Sequence, residues 1–272
     1  MKYEKIPLPQ EDEDVYLEAY VADPLPSLTR RALLVIPGGG YWGVCADKEG
    51  EPVAMAMMPY GYNAFVLHYT VARKKPFPAQ LIQAAKAIKH IKDHAEEYGI
   101  DPEELFVVGF SAGGHLAAST GALWKMDEVY GAVEMPYGYN KPKGVMLIYP
   151  VISPVYKHHI SSFRNMWCTD TPSPEQLDAS AIEKHIDADS SPAFILHTAN
   201  DQVVDVKNSL TVAEAYSTAG VPFELHIYPD GAHGAALFNH VTCFGKQDCY
   251  RPNVSEWVRL GNVWADNLCK KD

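Results

Sequence analysis

Nowhere does this 272-residue chain hold an apolar run approaching the roughly 20 residues that a membrane-spanning helix requires, which argues against a helical membrane protein. The first residues, Met1 to Pro7, lack the apolar core of a secretory leader, and an acidic stretch from Glu11 to Asp14 follows. Positive charge is in deficit. The net charge is −11 with no basic cluster to offset it, so neither nucleic acid nor an anionic membrane is an expected partner. Cysteines number five, an odd count scattered along the chain, which suits free thiols in a reducing cytoplasm rather than a disulfide framework. His240, Cys243 and Cys249 match no standard zinc spacing and read as unconnected loop residues, so no metal is expected. Internal repeats and low-complexity segments are also missing. What remains is the composition expected of a soluble, cytoplasmic protein, with length for one large α/β domain over residues 1–272 that buries about three quarters of its unfolded surface.

Strand and helix patterns alternate along most of the chain. Residues 15–21 alternate as an antiparallel edge strand would, and apolar runs at 32–36, 62–69, 105–108, 144–149 and 192–198 read as buried strands. Residues 223–228 form a further strand pattern. Helix signals fall at about 50–59, 79–98 and 253–269. The second places Leu81, Ala84, Ala85, Ile88, Ile91, Ala95 and Tyr98 at helical spacing and stops at Gly99. Asp101-Pro102 then reads as a short turn into the next strand. Such alternation predicts a mostly parallel, twisted sheet with helices on both faces. Two stretches depart from it. Residues 122–143 carry aromatics with several Gly and Pro, residues 151–190 carry aromatics and the steps Thr171-Pro172 and Ser173-Pro174, and both are too short for a separate cap domain. They read as lid-like or binding excursions over a shallow cleft.

The chemistry concentrates at Gly109-Phe110-Ser111-Ala112-Gly113. This G-x-S-x-G run follows a strand pattern (Leu105 to Val108) and precedes helix-compatible residues, the context of a nucleophile elbow. There a serine is lifted out of the sheet on a strained turn, and glycines on either side leave room for it. A serine nucleophile needs a base, and a neutral imidazole needs an acid to fix its tautomer. Asp201 lies just past the strand 192–198, and His233 lies in the Gly231-Ala232-His233-Gly234 turn after the strand 223–228. Both sit where strand carboxyl ends form binding crevices. Asp205 reads instead as a charge at a helix start, Asp230 as a turn residue, and His197 and His226 as strand residues. His115 reads as a structural hydrogen-bonding residue beneath the site. Pro37-Gly38-Gly39-Gly40-Tyr41-Trp42 follows another strand, and its backbone N–H groups can complete an oxyanion hole with that of Ala112. The loop lacks the Gly-Lys-Ser/Thr of a phosphate-binding loop and the second half of a dinucleotide fingerprint, so no nucleotide is expected.

On these motifs the chain resembles the α/β-hydrolase superfamily, and within it the carbohydrate acetylesterase or acetyl-xylan-esterase-like branch near the hormone-sensitive-lipase-like esterases. The likeness runs over residues 30 to 265, through PGGGYW at 37–42, GFSAGGHLAA at 109–118, YPVIS at 149–153, SFRN at 162–165, SPAFILHTANDQVV at 191–204 and GAHG at 231–234. It implies Ser111 as nucleophile, Asp201 as acid and His233 as base, with Gly39, Gly40 and Ala112 as oxyanion donors and no cofactor. Pro37 stands where lipase-like relatives have histidine, and Val204-Asp205 where relatives often show Val-Pro. Tyr41, Trp42, His158 and Trp167 are the candidate substrate contacts. The expected substrate is a small-molecule ester carrying a short acyl group, acetyl in particular, on an alcohol such as an acetylated oligosaccharide. An arylformamidase-like amidase, whose Gly-Gly-Tyr-Trp loop is similar, and a non-catalytic ligand-binding protein on the same fold are the alternatives. The sequence leaves the oligomeric state open.

Overall fold

A computed structural model describes residues 1–25, 28–156 and 159–270. Among them, eight strands form one sheet in the order β1-β2-β4-β3-β5-β6-β7-β8. The strands are β1 (Lys2–Pro7), β2 (Tyr16–Val21), β3 (Arg30–Ile36), β4 (Tyr62–His68), β5 (Ile100–Phe110), β6 (Gly144–Ile148), β7 (Ala193–Thr198) and β8 (Phe223–Tyr228). From β4 to β8 every pairing is parallel, whereas β2 runs antiparallel to both β1 and β4.

The parallel strands β3 to β7 carry long apolar runs because both of their faces are covered, whereas β8 at the edge is only half-buried. In β3, Leu34 and Ile36 pack into one core, with the helices Ala79–Asp93, Ala112–Ala122 and Lys207–Ala219. Leu33 and Val35 point the other way, into a second core that includes Val53 and Met57 of the helix Glu51–Met57 and Trp257 and Trp264 of the helix Trp257–Cys269. This period of two gives each strand a stake in both cores. Each fully buried aliphatic side chain contributes about 1.5–3 kcal/mol of transfer free energy.

Three local expectations are corrected. The segment 15–21 is no edge strand: β1 pairs along it from Lys2–Val21 to Pro7–Tyr16 and takes the edge itself. The helix expected over 79–98 is interrupted at His94, and a short turn of helix, Ala95–Tyr98, leads to Gly99 in the left-handed region (φ 59°). Asp101-Pro102 is a bulge inside β5 rather than a turn before it. Arg30 pairs with Ile100, but Ala32 pairs with Leu105. Pro102 has no N–H to give the ladder, and the Asp101 carboxylate takes the N–H of Glu103 instead.

Four loops that matter below leave the same edge of the sheet, after the carboxyl ends of β3, β5, β7 and β8. The excursion 122–143 carries the helix Asp127–Ala132, and 151–190 carries Ile160–Met166 and Pro174–Ala179, the latter begun by a capping box on Ser173 and Gln176.

Candidate active site

Ser111 stands between β5 and the helix Ala112–Ala122 with φ 53° and ψ −118°, a backbone conformation that costs a non-glycine residue on the order of 1–3 kcal/mol. Its surroundings hold it there. The Ser111 N–H donates to the Ile148 carbonyl (3.1 Å), and its own carbonyl accepts from the N–H groups of His115 (3.2 Å) and Val151 (2.9 Å). The flanking glycines are required by contact. A Cβ on Gly109 would lie 2.2 Å from the Gly113 carbonyl oxygen, and one on Gly113 would lie 2.2 Å from that of Ile36. The helix therefore starts pressed against the ends of β5 and β3.

The structure brings Ser111, His233 and Asp201 into one line. His233 Nε2 is 2.8 Å from Ser111 Oγ, and Nδ1 is 2.7 Å from Asp201 Oδ2. A carboxylate only accepts, so Nδ1–H donates to Asp201 and Nε2 is left to receive the serine proton. The other Asp201 oxygen accepts from the N–H groups of Val203 (2.8 Å) and Val204 (3.0 Å). Burial pushes the Asp201 carboxyl up, but hydrogen bonds from His197 and His233 outweigh it and hold the group well below the usual carboxylate range. Asp205 lies outside this line. It caps the N–H of Lys207 (2.9 Å) at a helix start. Asp230 pairs with Arg251 (2.7 Å).

The loop after β3 turns its carbonyls outward. Those of Gly38, Gly40 and Tyr41 accept from Cys45 N–H (3.0 Å), Asn165 Nδ2 (2.9 Å) and Ala72 N–H (3.0 Å), and that of Gly39 accepts from Trp42 N–H and Gly43 N–H. The N–H groups of Gly39, Gly40 and Ala112 donate to no other described residue. Gly39 has φ 126°, and a Cβ there would meet the Gly43 carbonyl oxygen at 2.2 Å, so no other residue fits.

The candidate substrate contacts fare differently. Trp42 is 62% exposed on the glycine loop. Tyr41 is not a cleft residue. It is 1% exposed, and its hydroxyl donates to His115 Nδ1 (2.9 Å), because His115 Nε2–H is committed to the Ser180 carbonyl (2.9 Å). Trp167 is likewise spent on packing, with Nε1 on Ser180 Oγ (2.6 Å) and its ring against Phe77. His158 lies outside the described residues. Its neighbour His159 is the one near the centre, with its ring 6.2 Å from that of His233 and Nδ1 2.5 Å from Ser162 Oγ. Burial, and then the charge of His233, lower its pKa to about 4.

Three further residues matter, of which sequence reasoning named only His197, as a strand residue. Asn165 anchors Gly40. His197, fully buried, bonds the Val204 carbonyl (3.0 Å) and Ser209 (2.8 Å) and so braces the Asp201 loop. Glu49 reaches the glycine loop through Gly38 N–H (2.7 Å). Only the SFRN stretch hinted at the first, and nothing local marked the other two.

A cleft of about 370 Å³ reaches His233 and is lined by Asn200, Gln202, Val203, Asp248 and Arg251. A larger cavity of about 580 Å³ lies within the 151–190 excursion, between Val155, Ile160, Arg164 and Leu177, and no triad residue lines it. Of the two, the cleft with the polar side chains is the one that touches a triad residue, His233. Among the described residues no group of three or more His, Cys, Asp or Glu side chains is placed to hold a metal ion, and no helix is long and apolar enough to cross a membrane.

The model of the BD-FAE family matches residues 14–216. Endo-1,4-beta-xylanase B of Butyrivibrio fibrisolvens is 36% identical over 213 residues, which cover 77% of this chain and 33% of that protein. An acetylxylan esterase of Xylanibacter ruminicola is 26% identical over 237 residues, covering 84% and 45%. The chain thus spans between a third and a half of the length of these curated relatives. Among solved structures, the acetyl ester-xyloside bifunctional hydrolase of Caldicellulosiruptor lactoaceticus superposes with a TM-score of 0.81 at 32% identity, over 97% of this chain and 96% of the other. A carboxylesterase of Lactobacillus plantarum gives a TM-score of 0.86 at 25% identity, with both chains fully covered.

Proposed function

The chain belongs to the BD-FAE family of α/β-hydrolases, and from that premise we propose that it is a serine esterase removing short acyl groups, acetyl above all, from carbohydrate or similarly polar alcohols. The observation that carries the reading is the unbroken line from Ser111 Oγ through His233 to Asp201, at 2.8 and 2.7 Å. Ser111 Oγ attacks the ester carbonyl carbon while His233 Nε2 takes its proton. The oxyanion so formed is held by the N–H groups of Gly39, Gly40 and Ala112. As the carbon–oxygen bond to the alcohol breaks, His233 returns the proton to the leaving oxygen. Water, deprotonated by the same imidazole, then cleaves the acyl-enzyme and releases the acid.

The polar lining of the cleft at His233 favours a hydroxyl-rich alcohol over a lipid, and the similarity to proteins named as acetylxylan esterase and acetyl ester-xyloside hydrolase points the same way. An extended acyl groove gains about 0.8 kcal/mol per buried CH₂, so a lipase would improve with chain length. Here kcat/KM for p-nitrophenyl acetate and propionate is expected to exceed that for octanoate by at least about tenfold, ~1.4 kcal/mol at the transition state. Acetylated xylo-oligosaccharide is expected to compete. An optimum at eight carbons or beyond, or no competition by the sugar, would overturn the substrate and leave the triad standing. Faster cleavage of N-formylkynurenine than of any ester would shift the reading to an amidase.

A further inference from the structure

Glu49 is 3% exposed, and no step above employs it. Its carboxyl receives two donors: Gly38 N–H at Oε2 (2.7 Å) and the Tyr149 hydroxyl at Oε1 (2.9 Å). Tyr149 also accepts the N–H of Ala236 (2.9 Å), three residues beyond His233, and its ring lies 4.8 Å from the His233 imidazole. Since that hydroxyl has a single proton and already accepts from Ala236, the proton goes to Glu49. Both Glu49 oxygens are then acceptors, the wiring of a carboxylate rather than an acid. A Cβ on Gly38 would lie 2.9 Å from Glu49 Oε2 and 2.9 Å from Ser111 Cβ, so the carboxylate, the glycine loop and the nucleophile are packed against each other.

We propose that Glu49 is a positioning residue: it ties the oxyanion loop to the segment carrying the base, and its negative charge steadies the His233 imidazolium that forms as Ser111 gives up its proton. This rests on the triad reading above. Among the described residues, the groups facing His233 are Ser111, Asp201, the Tyr149 ring, His159 and, at longer range, Glu49. Those facing Glu49 are Tyr149, Tyr69, Cys45, Lys48 and His233. Burial outweighs the Gly38 N–H, the Tyr149 hydroxyl and the charge on His233, and leaves the Glu49 pKa above its ordinary value.

The test uses the full chain and two readouts, turnover of p-nitrophenyl acetate and the rate at which a fluorophosphonate labels Ser111, each followed from pH 5 to 9. In Glu49→Gln both rates are expected to fall at least about tenfold, and the acid limb to move about half a unit or more to lower pH, because the imidazolium has lost a stabilising charge. Tyr149→Phe cuts the tie but keeps the charge, so its rates fall while the limb stays. A folded Glu49→Gln protein with wild-type rates overturns the proposal, and one whose limb does not move overturns the electrostatic role. Should Glu49→Gln fail to fold, wild-type rates in Tyr149→Phe overturn the tie. Wild-type protein that neither labels nor turns over ester refutes the nucleophile reading itself, an outcome distinct from the other three.

Discussion

Replacing Asp201 by asparagine tests the triad through the tautomer of one imidazole ring. Val203 N–H and Val204 N–H fix one oxygen of Asp201 at 2.8 and 3.0 Å. In Asp201→Asn the amide oxygen is expected to keep those two donors, since a flipped amide would set its NH₂ against both. Each unpaired buried donor costs about 1–3 kcal/mol, so the unflipped orientation is favoured by several kcal/mol. The NH₂ then occupies the position of Oδ2 and faces His233 Nδ1, 2.7 Å away in the native protein. Nδ1 must now accept, its proton shifts to Nε2, and Nε2 can no longer take the proton of Ser111. The expected loss in kcat/KM for p-nitrophenyl acetate is roughly 10⁴-fold, about 5.5 kcal/mol, with little change in KM. Asp205→Asn removes only a helix-start charge and is expected to cost less than about threefold. A loss under tenfold in Asp201→Asn, or a larger loss in Asp205→Asn, would refute this account of the acid.

Ser111→Ala is expected to keep the circular dichroism of the native protein and to lower kcat by roughly 10⁴–10⁶-fold; full activity in the folded variant would remove the nucleophile. Stability is expected to fall on the acid side of neutrality. Burial lowers the pKa values of His115 and His159 to about 4 in the folded protein, so the unfolded chain, near 6.5, takes up protons first. Their stabilising effect is complete above pH ~6.5 and is lost as pH falls towards 4, on the order of 3 kcal/mol for His115 alone. A urea midpoint that stays flat between pH 7 and 4.5 would contradict this.

Much of the sheet was legible because its parallel strands are buried on both faces and so appear as plain apolar runs. The elbow was legible because its requirements are local: two glycines, a serine, a strand before and a helix after. Asp201 and His233 could be located because each follows its strand directly. The antiparallel margin was harder. β1 mixes Lys2, Glu4 and Lys5 with Tyr3 and Ile6, and only Ile6 is buried, so the chain carries little periodic signal there. Tyr41 sits beside glycines on an exposed-looking loop, and only the fold reveals that its ring turns inward to His115. Glu49 stands in a short polar stretch, Asp47-Lys48-Glu49, with no local signal of its role. Its partners Gly38, Tyr149 and Ala236 come from three other segments, and no window along the chain holds them together.

The close approaches at Gly38, Gly109, Gly113 and Gly114 have a consequence for how this protein can be altered. At each, an added methyl group would come within 3 Å of backbone or of Ser111 or Pro150. At Gly109 and Gly113 main chain rests directly on main chain, and the side chains of Asn165 and Glu49 hold the glycine loop beside Ser111. Mutational libraries should divide sharply. Randomising residues 37–40 or 109–114 should yield almost only dead clones, whereas randomising the cleft wall at Asn200, Gln202, Asp248 and Arg251 should yield live ones with new alcohol preferences. Divergence within such a lineage can accordingly exchange substrates while the reaction stays fixed.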